Sequence, residues 1–244
     1  MNNEPTAKKI IIVGASSGIG KELALLYATK GNRVGITGRR NELLQALQHT
    51  YPANIETACF DVMGNDNITH ITSLIEKLGG LDLLIYNSGY GEVSKQLDIS
   101  IEERTTRTNV NGFLDIVAFA FNFFVAQGYG QIAATSSIAS MAGNGHAPAY
   151  SASKSFMSTY LEGLYLKAKH LQLPIAITDI QPGFVKTQMA KGKGRFWEAP
   201  PAKAALQIYT AIEAKRFRVY ITKRWWWIAQ LVKIIPGWLY RKIA

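Results

Sequence analysis

The amino-acid sequence predicts an α/β fold, in which one doubly wound parallel sheet carries helices on both faces. Short runs of mainly branched apolar residues alternate along the chain with longer helical patterns, and such runs are typical of strands that are buried on both sides. A glycine-rich turn directly follows the first run, which is where sheets of this type bind their ligands. The 244 residues, 48% of them hydrophobic, suffice for a single domain with a large core.

The predicted elements follow one another in a regular order. Short apolar runs are predicted as strands at residues 9–13, 33–37, 55–60, 81–86, 131–136, 175–180 and 218–222. Helical patterns cover residues 18–30, 101–127 and 149–171. This alternation indicates a parallel sheet. We therefore expect residues 1–222 to form one domain and residues 223–244 to form a C-terminal tail.

The net charge of +10 is distributed unevenly along the chain. Residues 1–183 contain 14 basic and 15 acidic side chains, whereas residues 184–244 contain 13 basic and 2 acidic ones. The whole positive excess therefore lies in the last quarter of the sequence. This predicts a basic face or tail attached to a nearly neutral domain.

Cysteine usage and the N-terminus indicate a cytoplasmic protein. Cys59 is the single cysteine, which excludes an internal disulfide and fits a reducing compartment. Residues 1–7 are polar and lack the apolar core of a signal peptide. The four histidines and Cys59 do not show the clustered spacing of metal ligands, so no metal site is predicted.

The turn after the first strand has the composition of a phosphate-binding loop. It reads Gly14-Ala15-Ser16-Ser17-Gly18-Ile19-Gly20, a G-x-x-x-G-x-G spacing that differs from the common G-x-G-x-x-G. Glycines let the backbone approach a bulky anion, and the start of the following helix offers N–H donors and a partial positive charge. Ser16 and Ser17 add hydroxyl groups. The position of the turn predicts a dinucleotide pyrophosphate as its ligand.

The end of the second strand indicates which dinucleotide is bound. Folds that prefer NAD usually place a carboxylate there, for the ribose 2′-hydroxyl. This chain instead has Arg39 and Arg40, and guanidinium groups suit a phosphate. We predict NADP(H), with Arg39 as the main contact and Arg40 stacking or assisting. The alternative is a pair of solvated arginines.

Tyr150 and Lys154 are spaced for acid–base chemistry. On a helix, residues four apart lie on one face, one turn apart. A phenol ordinarily titrates near pH ~10, and a lysine beside it favours the phenolate and lowers that pKa. The pair therefore has the form of an acid–base device for a hydroxyl or carbonyl oxygen.

Taken together, these motifs resemble the short-chain dehydrogenase/reductase family, and the resemblance extends over residues 9–222. Further family motifs occur in order: Asp61-Val62, which would flank the adenine; Asn87-Ser88-Gly89 after the fourth strand; Asn109-Val110-Asn111-Gly112; Ser136-Ser137; and Pro182-Gly183 with Val185 and Thr187, which would border the nicotinamide. The chain departs from the family pattern at Val13, Tyr86 and Ser88, where threonine, asparagine and alanine are usual.

The resemblance implies a role for each matching residue. Tyr150 would protonate a carbonyl oxygen, or act as the base in the reverse direction. Lys154 would lower the pKa of Tyr150 and bind the nicotinamide ribose. Ser137 would hydrogen-bond the substrate oxygen, and its spacing to Tyr150 favours it over its neighbour Ser136. Asn109, favoured over Asn111, would kink its helix and hold a water molecule in the proton relay.

The implied protein is a carbonyl reductase, or the matching alcohol dehydrogenase, with a Rossmann fold. It would transfer a hydride between NADP(H) and a carbonyl or secondary alcohol, and would form a homodimer or homotetramer through the helical surfaces near residues 104–127 and 149–171. Residues 189–201 would form a mobile loop beside the substrate. Two alternatives remain: a non-catalytic NADP-binding regulatory protein on the same fold, and a membrane-associated lipid ketoreductase.

The C-terminal tail is rich in tryptophan and in basic residues. Residues 225–242 contain four tryptophans and, with Pro236 in their midst, are too short to span a bilayer. Aromatic side chains flanked by cations suit a membrane interface. The same composition suits packing on the domain or on a second subunit. Binding of nucleic acid is a third option for a basic, aromatic segment. The sequence shows no recognition fold for nucleic acid, so we expect no nucleic acid to be bound.

Overall fold

The computed structural model describes residues 7–187 and 196–243, apart from the side chains of Lys233 and Ile243. The N-terminal residues 1–6 and residues 189–195 of the expected loop lie outside the described part. Within it, the chain forms seven strands: β1 (Lys9–Val13), β2 (Arg33–Gly38), β3 (Ile55–Cys59), β4 (Leu83–Tyr86), β5 (Gly130–Thr135), β6 (Ile175–Pro182) and β7 (Arg218–Ile221).

These strands form one parallel sheet in the order β3-β2-β1-β4-β5-β6-β7. The order reverses direction between β1 and β4, which is the switch point of a doubly wound sheet. In β1, Ile12 lies between Ile36 of β2 and Ile85 of β4, and all three side chains are buried. The predicted Rossmann-type α/β fold is therefore confirmed.

Helices connect the strands and cover both faces of the sheet. They are α1 (Gly18–Thr29), α2 (Asn41–Thr50), α3 (Asn67–Leu78), α4 (Ile99–Thr106), α5 (Gly112–Gln127), α6 (Pro148–His170), α7 (Pro201–Glu213), α8 (Trp225–Ile234) and α9 (Gly237–Ile243). One apolar core lies between the sheet and α1, α2 and α7, and a second lies between the sheet and α3, α5 and α6. Apolar side chains alternate between these two cores along each central strand, which explains why the strands read as continuous apolar runs.

The long helix predicted at residues 101–127 is interrupted. A π-helical turn at Arg107–Asn111 separates α4 from α5. By length and composition, the combined run Ile99–Gln127 would be able to cross a membrane, with a mean hydropathy of 1.4 in its most apolar window. In this fold Phe113, Phe121 and Phe124 of α5 are buried in the core beside the sheet, so the hydropathy of the run reflects a core helix.

The last two helices pack at the end of the domain where the strands terminate. Trp225 and Ala229 of α8 are buried, and the Tyr240 hydroxyl of α9 donates a hydrogen bond to the Gly143 carbonyl oxygen at 2.9 Å. The proposed division into a domain at residues 1–222 and a tail at residues 223–244 stays a prediction, but these contacts join the two parts.

Candidate active site

The predicted site residues meet at one edge of the sheet. All strands are parallel, so the segments that follow them lie at the same carboxyl edge. Six such segments carry predicted residues: the turn Gly14 to Gly20 after β1, Arg39 and Arg40 after β2, Asp61 and Val62 after β3, Asn87 to Gly89 after β4, Ser137 after β5, and Gly183 to Thr187 after β6.

The turn after β1 has a shape that depends on its glycines. Gly14 and Gly18 have φ angles of +84° and +59°, in the left-handed region that favours glycine. A Cβ atom on Gly14 would lie 2.6 Å from the Ser88 nitrogen, and one on Gly20 would lie 2.2 Å from the Gly14 oxygen. Helix α1 begins at Gly18 with Ser17 as its N-cap, and the Ser17 side chain makes no capping hydrogen bond. The first-turn N–H groups therefore face a hydroxyl-lined loop where an anion is stabilised.

Neighbouring strands hold this turn in place. The Gly14 and Ala15 N–H groups both donate to the Thr37 carbonyl oxygen of β2, at 3.1 and 2.8 Å. The Asn87 side chain donates from Nδ2 to the Gly14 oxygen at 3.1 Å, and its Oδ1 accepts from the Thr135 hydroxyl at 3.0 Å. The amide of Asn87 thus joins the turn after β1 to the end of β5.

The two arginines after β2 take different positions. Arg40 donates from Nη2 to the hydroxyl oxygens of both Ser16 and Ser17, at 2.7 Å each. Arg39 instead pairs with the Asp61 carboxylate at 3.3 Å, and its side chain is 53% exposed. The guanidinium nearest the phosphate turn therefore belongs to Arg40, while the choice of Arg39 as the main contact to a 2′-phosphate stays a prediction.

Tyr150 and Lys154 lie on α6, and Ser137 lies opposite them at the end of β5. Ser137 caps a 3₁₀ turn at Ile138–Met141, and its side chain accepts from the Ala139 N–H at 3.1 Å. Its hydroxyl also hydrogen-bonds the Tyr150 hydroxyl. Ser136 is directed into the protein, where its hydroxyl donates to the Asp179 carboxylate at 2.5 Å. This orientation agrees with the choice of Ser137 over Ser136.

The pKa of Tyr150 is raised in this structure. Burial is the main cause, because it disfavours the phenolate, and the hydrogen bond from Ser137 acts in the opposite direction. This is the reverse of the shift that Lys154 was expected to produce. The physical reason is that the Lys154 ammonium is directed elsewhere: Nζ donates to the Thr135 carbonyl oxygen at 2.8 Å and lies 5.8 Å from the centroid of the Tyr150 ring.

Lys154 is itself strongly perturbed. The residue is only 3% exposed, and burial lowers its pKa to about 7, while the Asp179 carboxylate opposes that shift. Asp179 is fully buried on β6 and accepts hydrogen bonds from Ser158, Gln181 and Arg218. The charge on Lys154 therefore depends on a buried carboxylate that the sequence did not single out.

Asn109 lies in the π-helical turn and joins three segments. It is fully buried, whereas Asn111 is exposed. Its Nδ2 donates to the Tyr90 carbonyl oxygen at 2.7 Å and to the Ser153 hydroxyl at 2.9 Å, and its Oδ1 accepts from the Tyr90 N–H at 2.8 Å. Both side-chain donors are thus engaged within the protein. Any water bound by Asn109 would have to use its backbone carbonyl or the second lone pair of Oδ1.

The segment after β6 closes the other side of the site. Pro182 ends the strand, and Gly183 packs so tightly on Trp225 that a Cβ atom there would lie 2.0 Å from the indole. Val185 pairs with Ala199 in an isolated bridge. The Thr187 methyl group reaches the phosphate turn, 3.1 Å from where a Cβ of Gly18 would be. The chain after β6 therefore lies over the start of α1.

Comparison with known proteins shows the family to which the chain belongs. The model of the short chain dehydrogenase family matches residues 8–196, which is more than half of the chain. The chain belongs to the short-chain dehydrogenase family. Its members are oxidoreductases that use a nicotinamide cofactor, so the expected family and the general class of reaction are confirmed.

Individual relatives of this short-chain dehydrogenase cover most of its length. An uncharacterized oxidoreductase of Mycobacterium tuberculosis is 30% identical over 98% of each chain. A glucose 1-dehydrogenase of Gluconobacter oxydans is 29% identical over 74% of this chain and 70% of its own. A solved short chain dehydrogenase/reductase from Burkholderia phymatum, in complex with NAD, superposes with a TM-score of 0.83 over 92% of each chain at 18% identity.

Two contributors to this short-chain dehydrogenase site were not predicted. A Cβ atom on Gly91 would lie 2.2 Å from Cδ2 of Tyr150, so the backbone after β4 touches the Tyr150 ring. The other is Asp179, whose sequence context in Ile175–Pro182 is only that of an acid within an apolar strand. A carboxylate in a central strand is a signal that could have been used, because such a group is rarely buried without partners. For Gly91 the sequence offers no comparable signal.

The residues present fit a dinucleotide. The glycine turn and the start of α1 offer backbone donors for its pyrophosphate, and the Arg40 guanidinium lies on the two serine hydroxyls of that turn. Trp225, buried against Gly183, has an indole N–H without a hydrogen-bond partner among the described residues. Donors to the anionic part of a dinucleotide are thus present at the turn after β1 and at Arg40.

Proposed function

We propose that the protein transfers a hydride between NADP(H) and a carbonyl or secondary alcohol substrate. The observation that carries this proposal is a continuous set of contacts from the phosphate turn to the acid–base residues. Gly14 accepts from Asn87, Asn87 accepts from Thr135, and the Thr135 carbonyl accepts from Lys154. A dinucleotide bound at the turn would therefore be held in a fixed relation to Lys154, Tyr150 and Ser137.

The division of labour follows from the residue types. When bound, the nicotinamide supplies or accepts the hydride. The turn Gly14 to Gly20 would hold the pyrophosphate, Asp61 and Val62 would border the adenine, and the segments Asn87 to Gly89 and Pro182 to Thr187 would border the nicotinamide half. Lys154, near the end of β5, would hold the nicotinamide ribose with its ammonium.

Tyr150 would act as the acid in carbonyl reduction. Hydride delivery to a carbonyl carbon builds negative charge on the oxygen, and donors already in place stabilise that charge. Because its pKa is raised by burial, Tyr150 is protonated at neutral pH and can donate its proton. Ser137, hydrogen-bonded to Tyr150, would be the second donor. The reverse reaction needs the phenolate, so alcohol oxidation would be favoured at higher pH.

Asn109 would act by positioning the segments on either side of Tyr150. Its two hydrogen bonds to the Tyr90 backbone and its bond to Ser153 hold the chain after β4 against the first turns of α6. Tyr150 precedes Ser153 on that helix, and Gly91 follows Tyr90. The asparagine therefore fixes both sides of the Tyr150 ring. A water in the proton relay, bound at its backbone carbonyl, is part of the proposal.

The preference for NADP over NAD rests on charge. No carboxylate stands directly after β2, where the chain has the guanidinium groups of Arg39 and Arg40. Arg40 is already within hydrogen-bond distance of the serines of the phosphate turn. Arg39 would join the 2′-phosphate by releasing Asp61, since an exposed ion pair of that kind contributes only ~0–1 kcal/mol.

A homodimer or homotetramer is proposed through α5 and α6. An open groove of about 870 Å³ lies between these helices and is lined by residues such as Phe121, Phe156 and Tyr160. Phe156 is exposed in this groove and Leu114 is exposed elsewhere on α5, and such apolar surface suits contact between subunits. Light scattering of the purified chain should give the mass of two or four subunits, and a monomer at micromolar concentration would contradict this assembly.

The decisive test is the substitution Tyr150→Phe, with Tyr160→Phe on the same helix as the matched control. Turnover is measured as loss of NADPH absorbance with a panel of ketones, including long-chain acyl and sterol-like ketones. Removal of the phenol hydroxyl at residue 150 should lower kcat/KM by a factor of ~10²–10⁴ and leave NADPH binding intact. Retained turnover would show that Tyr150 is not the acid. NADPH binding without consumption of any ketone would instead favour the regulatory alternative.

A further inference from the structure

The exposed apolar side chains of the protein concentrate at the carboxyl edge of the sheet. We define the tail surface as the exposed apolar side chains of α8 and α9, namely Trp226, Trp227, Leu231, Ile234, Trp238 and Leu239. Further exposed apolar residues at that edge are Val93, Leu97 and Ile99 after β4, and Phe184, Phe196 and Trp197 after β6. These segments all follow the ends of parallel strands, so they surround the opening of the candidate active site.

Helix α8 has two apolar faces, and only one of them is covered by the domain. Trp225 and Ala229 pack inward and are almost completely buried. Trp227, Leu231 and Ile234 follow one another at helical spacing on the outer face, where Trp227 is 69% and Leu231 is 51% exposed. The outer stripe therefore does not contribute to the core of the described chain. Its apolar area is available to a partner.

Positive charges border this surface. Lys223, Arg224, Arg241 and Lys242 are exposed at the two ends of the segment, and residues 223–244 contain no acidic residue. Acidic side chains at this edge lie outside residues 223–244, in the segments after β3, β4 and β6, and they include Asp61, Glu92 and Glu198. The tail surface thus combines an apolar stripe with a rim of cations.

We propose that the tail surface docks on an anionic lipid bilayer, with the opening of the site toward the membrane. Tryptophan side chains favour the boundary between headgroups and acyl chains, while lysine and arginine are attracted to acidic headgroups. The segment α8–α9 is too short to span a bilayer and is broken at Pro236, so it lies in the interface plane. This inference does not depend on the proposed hydride transfer.

Other occupants fit the surface less well. A second copy of the chain, related by a two-fold axis, would bring the same four cations against each other with no acidic residue of the segment to neutralise them. Nucleic acid would satisfy the cations, but not the exposed Leu231 and Ile234, because its surface is polar and charged. A bilayer with acidic headgroups satisfies both components at once.

The test is flotation of the full chain with vesicles of phosphatidylcholine and phosphatidylserine, compared with vesicles of phosphatidylcholine alone. The protein should float with the mixed vesicles and be released by high salt, because its attraction to the acidic lipid is screened. The double variant Trp227→Ser with Leu231→Ser should bind at least about tenfold more weakly, which corresponds to about 1.4 kcal/mol. Both side chains are exposed, so the variant should fold, and its thermal unfolding midpoint checks this.

Matched controls separate the tail surface from a general effect of hydrophobicity or charge. Leu206→Ser removes an exposed leucine of α7, and Lys169→Gln removes a cation at the C-terminal end of α6, away from the site opening; both should bind like the wild type. Failure to float, or equal flotation of the double variant and the wild type, would overturn the proposal. A halved mass of the double variant in light scattering would also overturn it, because the surface would then be a subunit interface. Displacement of the protein from vesicles by a DNA duplex that binds more tightly would overturn it as well.

Discussion

The contact between Gly91 and Tyr150 permits a sharp test of how the acid is positioned. In the variant Gly91→Ala, the added Cβ atom would lie 2.2 Å from Cδ2, 2.8 Å from Cε2 and 2.9 Å from Cγ of the Tyr150 ring. Carbon atoms in favourable contact are ~3.5–4.0 Å apart, so either the ring or the loop must move by about 1 Å or more. The atoms involved belong to the body of the ring and not to the end of a flexible side chain.

The ring is the part expected to move. Tyr90, directly before Gly91, is held by two backbone hydrogen bonds to the buried Asn109 side chain, at 2.7 and 2.8 Å. Retreat of the loop would break these bonds and leave buried polar groups unpaired, at ~1–3 kcal/mol each. Misplacement of a catalytic group by ~1 Å can lower the rate about 100-fold. We therefore expect kcat/KM of Gly91→Ala to fall about 100-fold, or by about 2.7 kcal/mol in transition-state stabilisation.

The assay combines kinetics with cofactor binding and stability. Steady-state kcat/KM with a carbonyl substrate should fall as stated, while NADPH binding, which depends on the turn after β1, should change little. Overpacking should also lower the free energy of unfolding by ~1–3 kcal/mol. The control is Gly145→Ala, since a Cβ at Gly145 meets no atom within 4 Å. Wild-type kcat/KM in Gly91→Ala would refute the idea that this backbone contact positions Tyr150.

Two further predictions concern charged residues. Arg40→Ala should weaken NADPH binding about tenfold or more and leave NADH binding almost unchanged. Arg39→Ala should have a smaller effect on NADPH binding, because the guanidinium of Arg39 pairs with Asp61. Isothermal titration measures both affinities, and equal losses for NADPH and NADH would contradict a role at the 2′-phosphate. Lys154→Met should flatten the pH dependence of the free energy of unfolding. In the wild type, burial lowers the pKa of Lys154 from 10.5 to about 7, so between these pH values the unfolded chain binds a proton that the folded chain does not. The free energy of unfolding of the wild type should therefore rise with pH by up to about 1.4 kcal/mol per pH unit. Parallel stability curves of the wild type and Lys154→Met in denaturant titrations would show that the shift is absent.

The strands of the sheet could be predicted from the sequence because each of them is a short run of mainly apolar residues. Lys9–Val13 was predicted to the residue, since a charged residue precedes it and a glycine turn ends it. The helix predicted at residues 101–127 is divided by a π-helical turn at Arg107–Asn111, at the place where the family resemblance implied a kink at Asn109. The side chain of Asn109 and the Thr108 carbonyl oxygen have partners far away in sequence. Tyr86, which departs from the family pattern, donates its hydroxyl to the Thr108 carbonyl oxygen of that turn. Periodicity alone carries no information about such contacts.

The site was predictable to the extent that its chemistry is local. Tyr150 and Lys154 are four residues apart on one helix, and the glycine turn is continuous in sequence, so their residue types and spacing indicated acid–base and phosphate chemistry. The choice between Arg39 and Arg40 as the main phosphate contact, by contrast, depends on residues that are distant in sequence. Adjacent side chains leave a strand end in different directions, and their partners, Asp61 and the serines of the turn, come from two other segments. The direction of the Tyr150 pKa shift was likewise set by burial, which spacing does not report.

The same topological rule that assembles the site also explains the position of the tail surface. In a parallel sheet, every segment that follows a strand emerges at the carboxyl edge. Segments after β1 to β6 contribute the polar residues of the site, and the segment after β7 becomes α8, whose inner face reaches Gly183 through Trp225. Residues 184–244 carry the whole positive excess, and the part after β7, residues 223–244, contains five basic and no acidic side chains. In a chain of this topology, any segment that follows the last strand therefore lies beside the site opening. An apolar and basic segment at this place changes the surface that a substrate passes on its way into the site.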